Sequence, residues 1–261
     1  MTRRAPSIDR LLAAIPEHAD RPAAFVLAGH NGSGKSTLWY ERLADRLQRP
    51  LVNADRLTAA MLPPPGDGGR LPPWAQRLRD EDERWQRLSQ QSVRALTSLA
   101  MAERMPFAFE TVFSYWKPRP DGSHASKADD IRALQRGGYF VVLLFVGLAS
   151  VDLSILRVQT RRRQGGHDVP IDKLLERFPR TQAAIGHASG IADMTLMFDN
   201  SRGVAEAFTL ARAQRRRHVL FDVRDTSYAV DRGLSQVAGP WLDRVCGPFR
   251  PRRPSASAAR H

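Results

Sequence analysis

The chain has 261 residues and a formal net charge of +13. It contains no run of eighteen or more apolar residues, which argues against a transmembrane helix, and its single cysteine, Cys246, rules out an intrachain disulfide. The amino-terminal segment lacks the apolar stretch of a secretory signal, so we expect a cytoplasmic protein with no membrane partner.

The positive charge is compatible with two kinds of partner, nucleic acid or a small polyanionic substrate. Arginine is spread along the whole chain and recurs in the tail FRPRRPSASAARH. Neither a zinc-finger spacing nor an RNA-binding aromatic motif occurs. We therefore predict against nucleic acid as the main substrate and expect a nucleotide-like small molecule.

Apolar runs alternate with helical patterns along the chain, which predicts an α/β fold with a mainly parallel sheet. Five runs are interpreted as buried parallel strands, at residues 23–28, 51–53, 107–109, 140–146 and 196–198. A sixth run, at 219–223, is expected to add an edge strand. We predict a single domain over residues 1–249, followed by a disordered basic tail at 250–261.

The segments between the strands divide into helices and loops. A helix is predicted at 35–47, and a second at 81–105 carries Trp85, Leu88, Leu96 and Leu99 on one stripe. That stripe favours a helix covering the sheet, with a helix flanking a substrate cleft as the alternative. The Pro- and Gly-rich segments 61–73 and 116–127 are predicted to be loops without a core of their own.

A phosphate-binding loop (P-loop) is predicted in AGHNGSGKST, residues 28–37, directly after the first strand. The spacing Gly29-x4-Gly34-Lys35-Ser36 matches the pattern, and Lys35 is one of only four lysines in an arginine-rich chain. The alternative is a simple Gly/Ser-rich turn. The pattern predicts ATP or GTP with Mg²⁺ as cofactors, Lys35 on the β- and γ-phosphates, and Ser36 as the metal ligand. The predicted nucleotide-binding residues of the loop are Gly29, His30, Asn31, Gly32, Ser33, Gly34, Lys35, Ser36 and Thr37.

A transporter-type ATPase is disfavoured by the strongest predicted strand. That strand, FVVLLFVGLAS, ends in Gly147 rather than in an acid, and no LSGGQ-like segment is present. Other strands do end in acids. Asp55 follows the second strand in LVNAD, and Glu110 with Thr111 ends the third in FAFET.

These acids point to phosphoryl transfer onto a hydroxyl. In open α/β sheets, ligands bind beyond the carboxyl ends of the strands, and transfer to a hydroxyl needs a carboxylate to take its proton. Asp55 or Glu110 could serve. The alternative for Asp55 is the N-cap of a helix beginning in ADRLTAAML.

A helical lid is predicted over about 151–185. The helix VDLSILRVQTRRR places Arg157 and Arg161 on one face, and Gly165–Gly166 follows as a hinge before a helix carrying Arg177 and Arg180. Arginine suits bidentate contacts with phosphate. A solvated basic face is the alternative, and His167 is expected to have a structural role.

Together these motifs resemble the zeta-toxin family of P-loop kinases, especially its chromosomal zeta-like branch. AGHNGSGKST, VNAD, FETVFS, RVQTRRRQGGHDVP, ERFPRT and FDNS occur in this order over residues 23–201. The resemblance implies a nucleotide kinase-like P-loop NTPase fold, three-layer α/β/α with five to six strands and a helical lid. It also implies Mg²⁺-dependent transfer from ATP to a sugar hydroxyl of UDP-N-acetylglucosamine.

The resemblance also implies roles for individual residues. Asp55 would be the general base, and Glu110 with Thr111 would help to bind the acceptor. Arg157, together with Arg161 or Arg163, would contact the ATP phosphates. An antitoxin, where one exists, would be a separate protein.

The sequence departs from the family near the acceptor. Arg56 stands where the branch often has Glu, and Val112 and Phe113 stand where toxins often have small residues or threonine. These positions could line the acceptor pocket, so two alternatives stay open for the reaction. One is a kinase acting on NAD, a nucleoside or a polynucleotide end, and the other is an acceptor-independent ATPase switch.

Overall fold

A seven-stranded sheet forms the centre of the molecule in a computed structural model that describes residues 3–16, 20–66, 70–163 and 169–250. The predicted hinge Gly165–Gly166, His167 and the tail after Arg250 lie outside these ranges. The strands are β1 (Arg3–Arg4), β2 (Ala23–Gly29), β3 (Leu51–Val52), β4 (Phe107–Thr111), β5 (Trp116–Pro118), β6 (His124–Ser126), β7 (Phe140–Gly147), β8 (Met194–Asp199), β9 (Thr209–Arg215), β10 (His218–Asp222) and β11 (Tyr228–Ala229).

Helices connect most of these strands. They are α1 (Ile8–Ala13), α2 (Lys35–Leu38), α3 (Ala44–Leu47), α4 (Ala54–Ala59), α5 (Pro73–Glu81), α6 (Glu83–Ala102), α7 (Ala128–Arg136), α8 (Val151–Arg163), α9 (Ile171–Ser189) and α10 (Arg232–Cys246). A π-helical turn at Trp39–Leu43 joins α2 to α3, so the helix predicted at 35–47 is continuous. A 3₁₀ turn occupies Val204–Glu206. No helix in the described ranges is long and apolar enough to cross a membrane.

The sheet has the strand order β10-β9-β8-β7-β2-β4-β3. The five predicted strands are present and parallel, and the sixth run forms the edge strand β10, which is antiparallel to β9. The expected number of five or six strands is wrong, since the sheet has a seventh strand, β9. The sequence of β9, TLARAQR, has no apolar run because polar residues occupy two of its buried positions. These residues, Arg212 and Gln214, are hydrogen bonded to each other at 2.8 Å.

β2 lies inside the sheet, where the order of the strands reverses. It is buried along its whole length between β4 and β7. The chain leaves β2 toward β3 and β4 on one side and later returns to β7 on the other. Such a reversal of strand order opens a crevice at the carboxyl end of the sheet, where ligands bind in open α/β folds. The P-loop directly follows β2 at this crevice.

Helices cover both faces of the sheet. Phe25 on β2 contacts Trp39 with ring centroids 6.2 Å apart, and Phe145 on β7 contacts Trp241 of α10 at 5.7 Å. Phe25 pairs with Val142, three residues before Phe145, so the two phenylalanines point to opposite faces. The predicted three-layer arrangement is therefore present.

Two local predictions are wrong. Leu88, Leu96 and Leu99 of α6 are exposed, and the helix instead turns Ala100 and Met101 toward the core. The segment predicted as a loop at 116–127 contains the antiparallel hairpin β5–β6, in which the Trp116 and His124 rings stack with centroids 4.3 Å apart. Strands of three residues are too short to show a periodic pattern.

Candidate active site

The P-loop takes its shape from glycines in left-handed conformations. Gly32 has φ +69° and Gly34, immediately before α2, has φ +89°. A Cβ at Gly34 would lie 2.8 Å from Nδ2 of Asn200, which donates a hydrogen bond to the Ser33 carbonyl at 2.8 Å. Glycine is therefore required at Gly34 by backbone conformation and by space. Asn200 belongs to the FDNS motif, and sequence reasoning assigned it no role.

Lys35 is buried at the base of the loop. Its Nζ donates to the His30 carbonyl at 3.1 Å and lies 3.7 Å from Oε1 of Glu110. Burial lowers the pKa of the Lys35 ammonium below its ordinary value, and Arg161 lowers it further, whereas Glu110 and Asp55 raise it. Groups predicted from separate motifs thus act electrostatically on one ammonium.

Glu110 joins the P-loop to the second strand. The Ser36 hydroxyl donates to Oε2 of Glu110 at 2.7 Å, and Nδ2 of Asn53 donates to the same oxygen at 2.6 Å. This contact arises because β4 pairs directly with β2, with Glu110 opposite Leu27. Thr111 is the next residue, half-buried at the end of β4. Asn53 is a functional candidate that sequence reasoning missed, although it lies in the VNAD motif.

Asp55 stands in the first turn of α4 and is exposed. The N-cap of α4 is Asn53, whose side-chain oxygen accepts from the Arg56 amide at 3.0 Å, so the alternative that Asp55 caps this helix is wrong. Among the described residues, none donates a hydrogen bond to the Asp55 carboxylate. Asp55 nevertheless lies near enough to Lys35 to raise its pKa.

The arginine-bearing helix α8 packs directly on the P-loop. The Ser154 hydroxyl donates to the Asn31 carbonyl at 2.7 Å, and a Cβ at Gly32 would lie 3.1 Å from Cβ of Arg157. Arg157 is half-buried, and this burial lowers its pKa. The structure thus brings Arg157 to the loop and keeps Arg161 within electrostatic range of Lys35.

A small apolar cluster joins α8 to the start of α9. It consists of Val158, Val169 and Leu174. The second half of α9 belongs instead to the main core, through Ala184 and Ile185. Whether α8 and the start of α9 move as a lid stays a prediction.

His30 has a packing role. Its ring stacks on Phe178 of α9 with centroids 3.8 Å apart and meets Phe145 edge-on at 5.8 Å. Both ring nitrogens are buried and make no hydrogen bond to the described residues. Burial, reinforced by the positive charges of Lys35 and Arg244, lowers the pKa of His30 to about 3. The imidazole is therefore neutral at physiological pH.

Two of the positions that depart from the family pattern make packing contacts. Phe113 is buried in the main core, which disfavours the prediction that it could line the acceptor pocket. The Arg56 guanidinium lies 4.4 Å from the ring centroid of Tyr40, on the helical segment that follows the P-loop. Thr37, in the same segment, is exposed.

A polar cleft of about 840 Å³ opens between α5 and the end of α8. Arg79 and Asp80 line it from α5, and Arg162 and Arg163 line it from α8. The pKa of Arg79 is raised, chiefly by its hydrogen bond to Asp80 and to a smaller extent by the negative charge of Asp55. Arg163, predicted to contact nucleotide phosphates, thus lies in the wall of this cleft.

The residues around Ser36 fit the predicted Mg²⁺. The described residues contain no cluster of three or more His, Cys, Asp or Glu side chains suited to a metal. A hydroxyl and a carboxylate are, however, the oxygen ligands that Mg²⁺ takes when substrate phosphates and water complete its shell. Ser36 and Glu110 supply such a pair at 2.7 Å.

Comparison with known proteins gives structural likenesses. No protein-family model matches the chain, and no curated protein matches it. The PezAT chromosomal toxin–antitoxin system of Streptococcus pneumoniae contains a chain with a TM-score of 0.50 and 12% identity, covering 90% of this chain and 91% of that chain. The AvrRxo1-ORF1:-ORF2 complex with ATP gives 0.54 and 13%, covering 81% of this chain and 65% of that chain.

This chain shares with these structures a three-layer α/β fold with a mainly parallel central sheet. Its mainly parallel sheet, its helices on both faces and its loop after the central strand all agree with the likeness to these structures. At identities below 25% the likeness concerns the fold, so the reaction has to be argued from the site itself.

Proposed function

We propose that the protein is a small-molecule kinase that transfers the γ-phosphoryl group of ATP to a hydroxyl of a nucleotide sugar such as UDP-N-acetylglucosamine. The observation that carries the proposal is the contact of Glu110 with Ser36 and Asn53, beside Lys35 and within the electrostatic reach of Asp55 and Arg161. Donor-binding residues and acids that can serve an acceptor thus converge at one crevice.

The donor half of the site rests on the P-loop. Its backbone amides and the start of the following helical segment bind the phosphates, and Lys35 stabilises the charge of the β- and γ-phosphates. Ser36 and Glu110 would hold Mg²⁺, which would help to neutralise the negative charge of the phosphates. Arg157 lies against the loop and Arg161 acts electrostatically on Lys35, so their guanidinium groups could stabilise the charge of the transferring group.

The acceptor half assigns different roles to the two acids. Both carboxylate oxygens of Glu110 already have donors nearby. Oε2 accepts from the Ser36 hydroxyl at 2.7 Å and from Nδ2 of Asn53 at 2.6 Å, and Oε1 lies 3.7 Å from Nζ of Lys35. The Asp55 carboxylate is exposed and accepts no hydrogen bond from the described residues. We therefore assign Asp55 as the base that takes the proton of the acceptor hydroxyl. The acceptor oxygen bonds to the γ-phosphorus of ATP while the bond between that phosphorus and the β–γ bridging oxygen breaks. ADP leaves, and the hydroxyl proton passes to Asp55.

The cleft between α5 and the end of α8 supports a phosphorylated acceptor, since the charge of Asp55 acts on Arg79 in its wall. Its volume of about 840 Å³ lies within the range of small-molecule sites. Arginine side chains reach it from both walls, and guanidinium groups suit the diphosphate of a nucleotide sugar. Acceptors without phosphate, such as free nucleosides, would leave this part of the cleft unused.

The test incubates the protein with labelled ATP, Mg²⁺ and separate acceptors: UDP-N-acetylglucosamine, other UDP-sugars, NAD, nucleosides and an oligonucleotide. Mass spectrometry identifies the acceptor that gains one phosphate group. We expect a UDP-sugar product. Production of ADP and inorganic phosphate with every acceptor would overturn the proposal in favour of an ATPase, and exclusive labelling of the oligonucleotide would favour a polynucleotide-end kinase.

Two substitutions separate the roles of the acids. Asp55→Asn should lower kcat by about 10²- to 10⁴-fold, the usual contribution of a general base, with little change in KM for ATP. Glu110→Gln should chiefly raise KM for ATP, because it weakens the support of Ser36 and Lys35. Asp45→Asn, an exposed aspartate in the first turn of α3, is the matched control. Full activity of Asp55→Asn would refute our assignment of the base.

Toxicity is part of the proposal. The pneumococcal neighbour belongs to a toxin–antitoxin system, and a separate antitoxin is the corresponding partner proposed here. Expression of the wild-type chain should arrest the growth of a bacterial host, whereas expression of Lys35→Ala should not. Equal growth of the two strains at equal protein levels would show that the kinase is not a toxin in that host.

A further inference from the structure

A second cavity lies at the amino end of the parallel strands, opposite the end that carries the P-loop. It has a volume of about 340 Å³ and is bordered by Met194, the first residue of β8, and by Arg215, the last residue of the antiparallel β9. The P-loop lies at the other ends of these strands. Since a strand rises about 3.3 Å per residue, roughly 20 Å of sheet separates the two sites. This cavity is therefore independent of the kinase site.

Four arginines surround the cavity: Arg3, Arg4, Arg10 and Arg215. Two of them are held in place. The Arg3 guanidinium lies 4.6 Å from the ring centroid of Tyr228, and Nη2 of Arg215 donates to the Ala14 carbonyl at 3.3 Å. Arg4 and Arg10 are exposed. Within the described ranges, no carboxylate forms an ion pair with any of the four.

The interior of the cavity is apolar. Leu11, Met194 and Leu220 line it, and Leu11 and Met194 are buried. The Tyr228 hydroxyl donates to the Leu220 carbonyl at 2.9 Å, and its ring meets Phe221 edge-on at 5.1 Å. This fixes the orientation of the tyrosine ring within the lining. An apolar interior with a few oriented polar groups is the usual composition of a small-molecule site.

We propose that this cavity binds a small organic anion, with a phosphate or carboxylate held by the arginines and an apolar or aromatic group inside. Guanidinium groups bind both kinds of anion through paired hydrogen bonds. The volume is near the lower limit for small-molecule sites, which favours a ligand of about the size of a substituted benzene ring. Since none of the four arginines forms an ion pair with a carboxylate of the described ranges, their positive charge favours an anionic ligand over a neutral one.

The test measures binding of phenyl phosphate by calorimetry, with the full chain carrying Lys35→Ala so that the P-loop contributes less to phosphate binding. Inorganic phosphate supplies the charge without the ring, and benzyl alcohol supplies the ring without the charge. We expect phenyl phosphate to bind saturably and at least about tenfold more tightly than either, because it alone engages both the arginines and the apolar interior.

The variant that tests the site is Arg4→Gln/Arg10→Gln on the same background. Both side chains are exposed, so the fold should be retained, and circular dichroism would verify this. We expect the affinity for phenyl phosphate to fall at least about tenfold. Arg42→Gln/Arg94→Gln, which removes two exposed arginines elsewhere, should leave the affinity unchanged.

Several results would overturn the proposal. They are the absence of saturable binding, equal affinity for phenyl phosphate and inorganic phosphate, and an affinity unaffected by the Arg4→Gln/Arg10→Gln pair. A short oligonucleotide that displaces phenyl phosphate and binds more tightly would instead identify the surface as a polyanion site. A second probe, the carboxylate benzoate, should bind like phenyl phosphate, and its binding should have the same dependence on Arg4 and Arg10.

Discussion

Positively charged side chains at the two ends of the central sheet differ in whether a carboxylate lies beside them. At the carboxyl end, Lys35 is buried, yet Glu110 lies 3.7 Å away and also accepts from Ser36. At the amino end, four arginines border an apolar cavity, and within the described ranges none of them has an ion-pair partner. The first arrangement is costly to disturb because its groups depend on one another, whereas the second is exposed and open to a ligand.

One acid, Asp193, does pair with arginines at the amino end of the sheet. Asp193 accepts from Arg21 at 3.1 Å and from Arg216 at 3.2 Å, and hydrogen bonds to Val141 N and Gln135 help to keep its pKa low despite burial. These two arginines are therefore compensated, which sets them apart from those around the cavity. The comparison thus concerns individual groups of arginines, and substitutions at single positions can test it.

Among the substitutions that compare the two ends of the sheet, Lys35→Ala should have the largest effect. We expect a loss of roughly 10³-fold in kcat/KM, because the substitution removes the buried cation that stabilises the transferring phosphate. Steady-state kinetics with the best acceptor measures it. Lys127→Ala, which breaks only a surface ion pair with Asp130, is the control and should change activity little. A loss below tenfold for Lys35→Ala would mean that the carboxyl end is not the catalytic end.

His30→Phe should change the pH dependence of stability. The pKa of His30 is lowered from 6.5 to about 3, so between these values the unfolded chain binds a proton that the folded chain does not. The wild-type protein therefore loses stability as the pH falls through this window, by up to about 1.4 kcal/mol per pH unit from this group. The phenylalanine variant keeps the stack on Phe178 without the titration.

Urea unfolding at a series of pH values measures this effect. The difference in free energy of unfolding between the variant and the wild type should grow in favour of the variant as the pH falls below 6.5. Carboxylates titrate equally in both proteins and cancel in this difference. A difference that stays constant with pH would show that His30 is not buried in its neutral form.

Gly34→Ala should destabilise the P-loop by about 1–3 kcal/mol, because alanine is strained at φ +89° and its Cβ would lie 2.8 Å from Nδ2 of Asn200. Gly122→Ala is the matched control, with φ +77° but no heavy atom within 4 Å of the added Cβ. Thermal unfolding of both variants separates backbone strain from the clash. Equal losses would mean that the fit of Asn200 against the loop contributes nothing.

Ser154→Ala should have the smallest effect, about 1 kcal/mol, because it removes the hydrogen bond that ties α8 to the Asn31 carbonyl. The expected readout is a modest fall in the free energy of unfolding together with a higher KM for ATP. Thr160→Ala, on the same helix, removes only a hydrogen bond to the helix backbone and serves as the control. An unchanged KM would show that α8 does not depend on this anchor.

The strands and the P-loop could be predicted from sequence because their signals are local. β2 and β7 are continuous apolar runs, and the spacing from Gly29 to Ser36 is contained in eight residues. β9 was not predicted because two of its five buried residues, Arg212 and Gln214, are polar and interrupt the apolar run. Their burial depends on partners on other elements, Asp222 for Arg212 and the Ser189 carbonyl for Gln214. The exposed leucines of α6 were misplaced because a stripe indicates an apolar face but not what covers it.

By itself, the sequence determined an α/β chain with a P-loop, acids beyond two strands and a helix bearing arginines. Only the tertiary structure decided that Glu110, 74 residues from Ser36, accepts a hydrogen bond from the Ser36 hydroxyl. It likewise decided that Asn53 rather than Asp55 caps α4. It also decided that arginines of the amino-terminal segment and Arg215 of β9 border one cavity. The physical reason is that these contacts depend on strand order and register, which arise from packing over the whole sheet rather than from any local pattern.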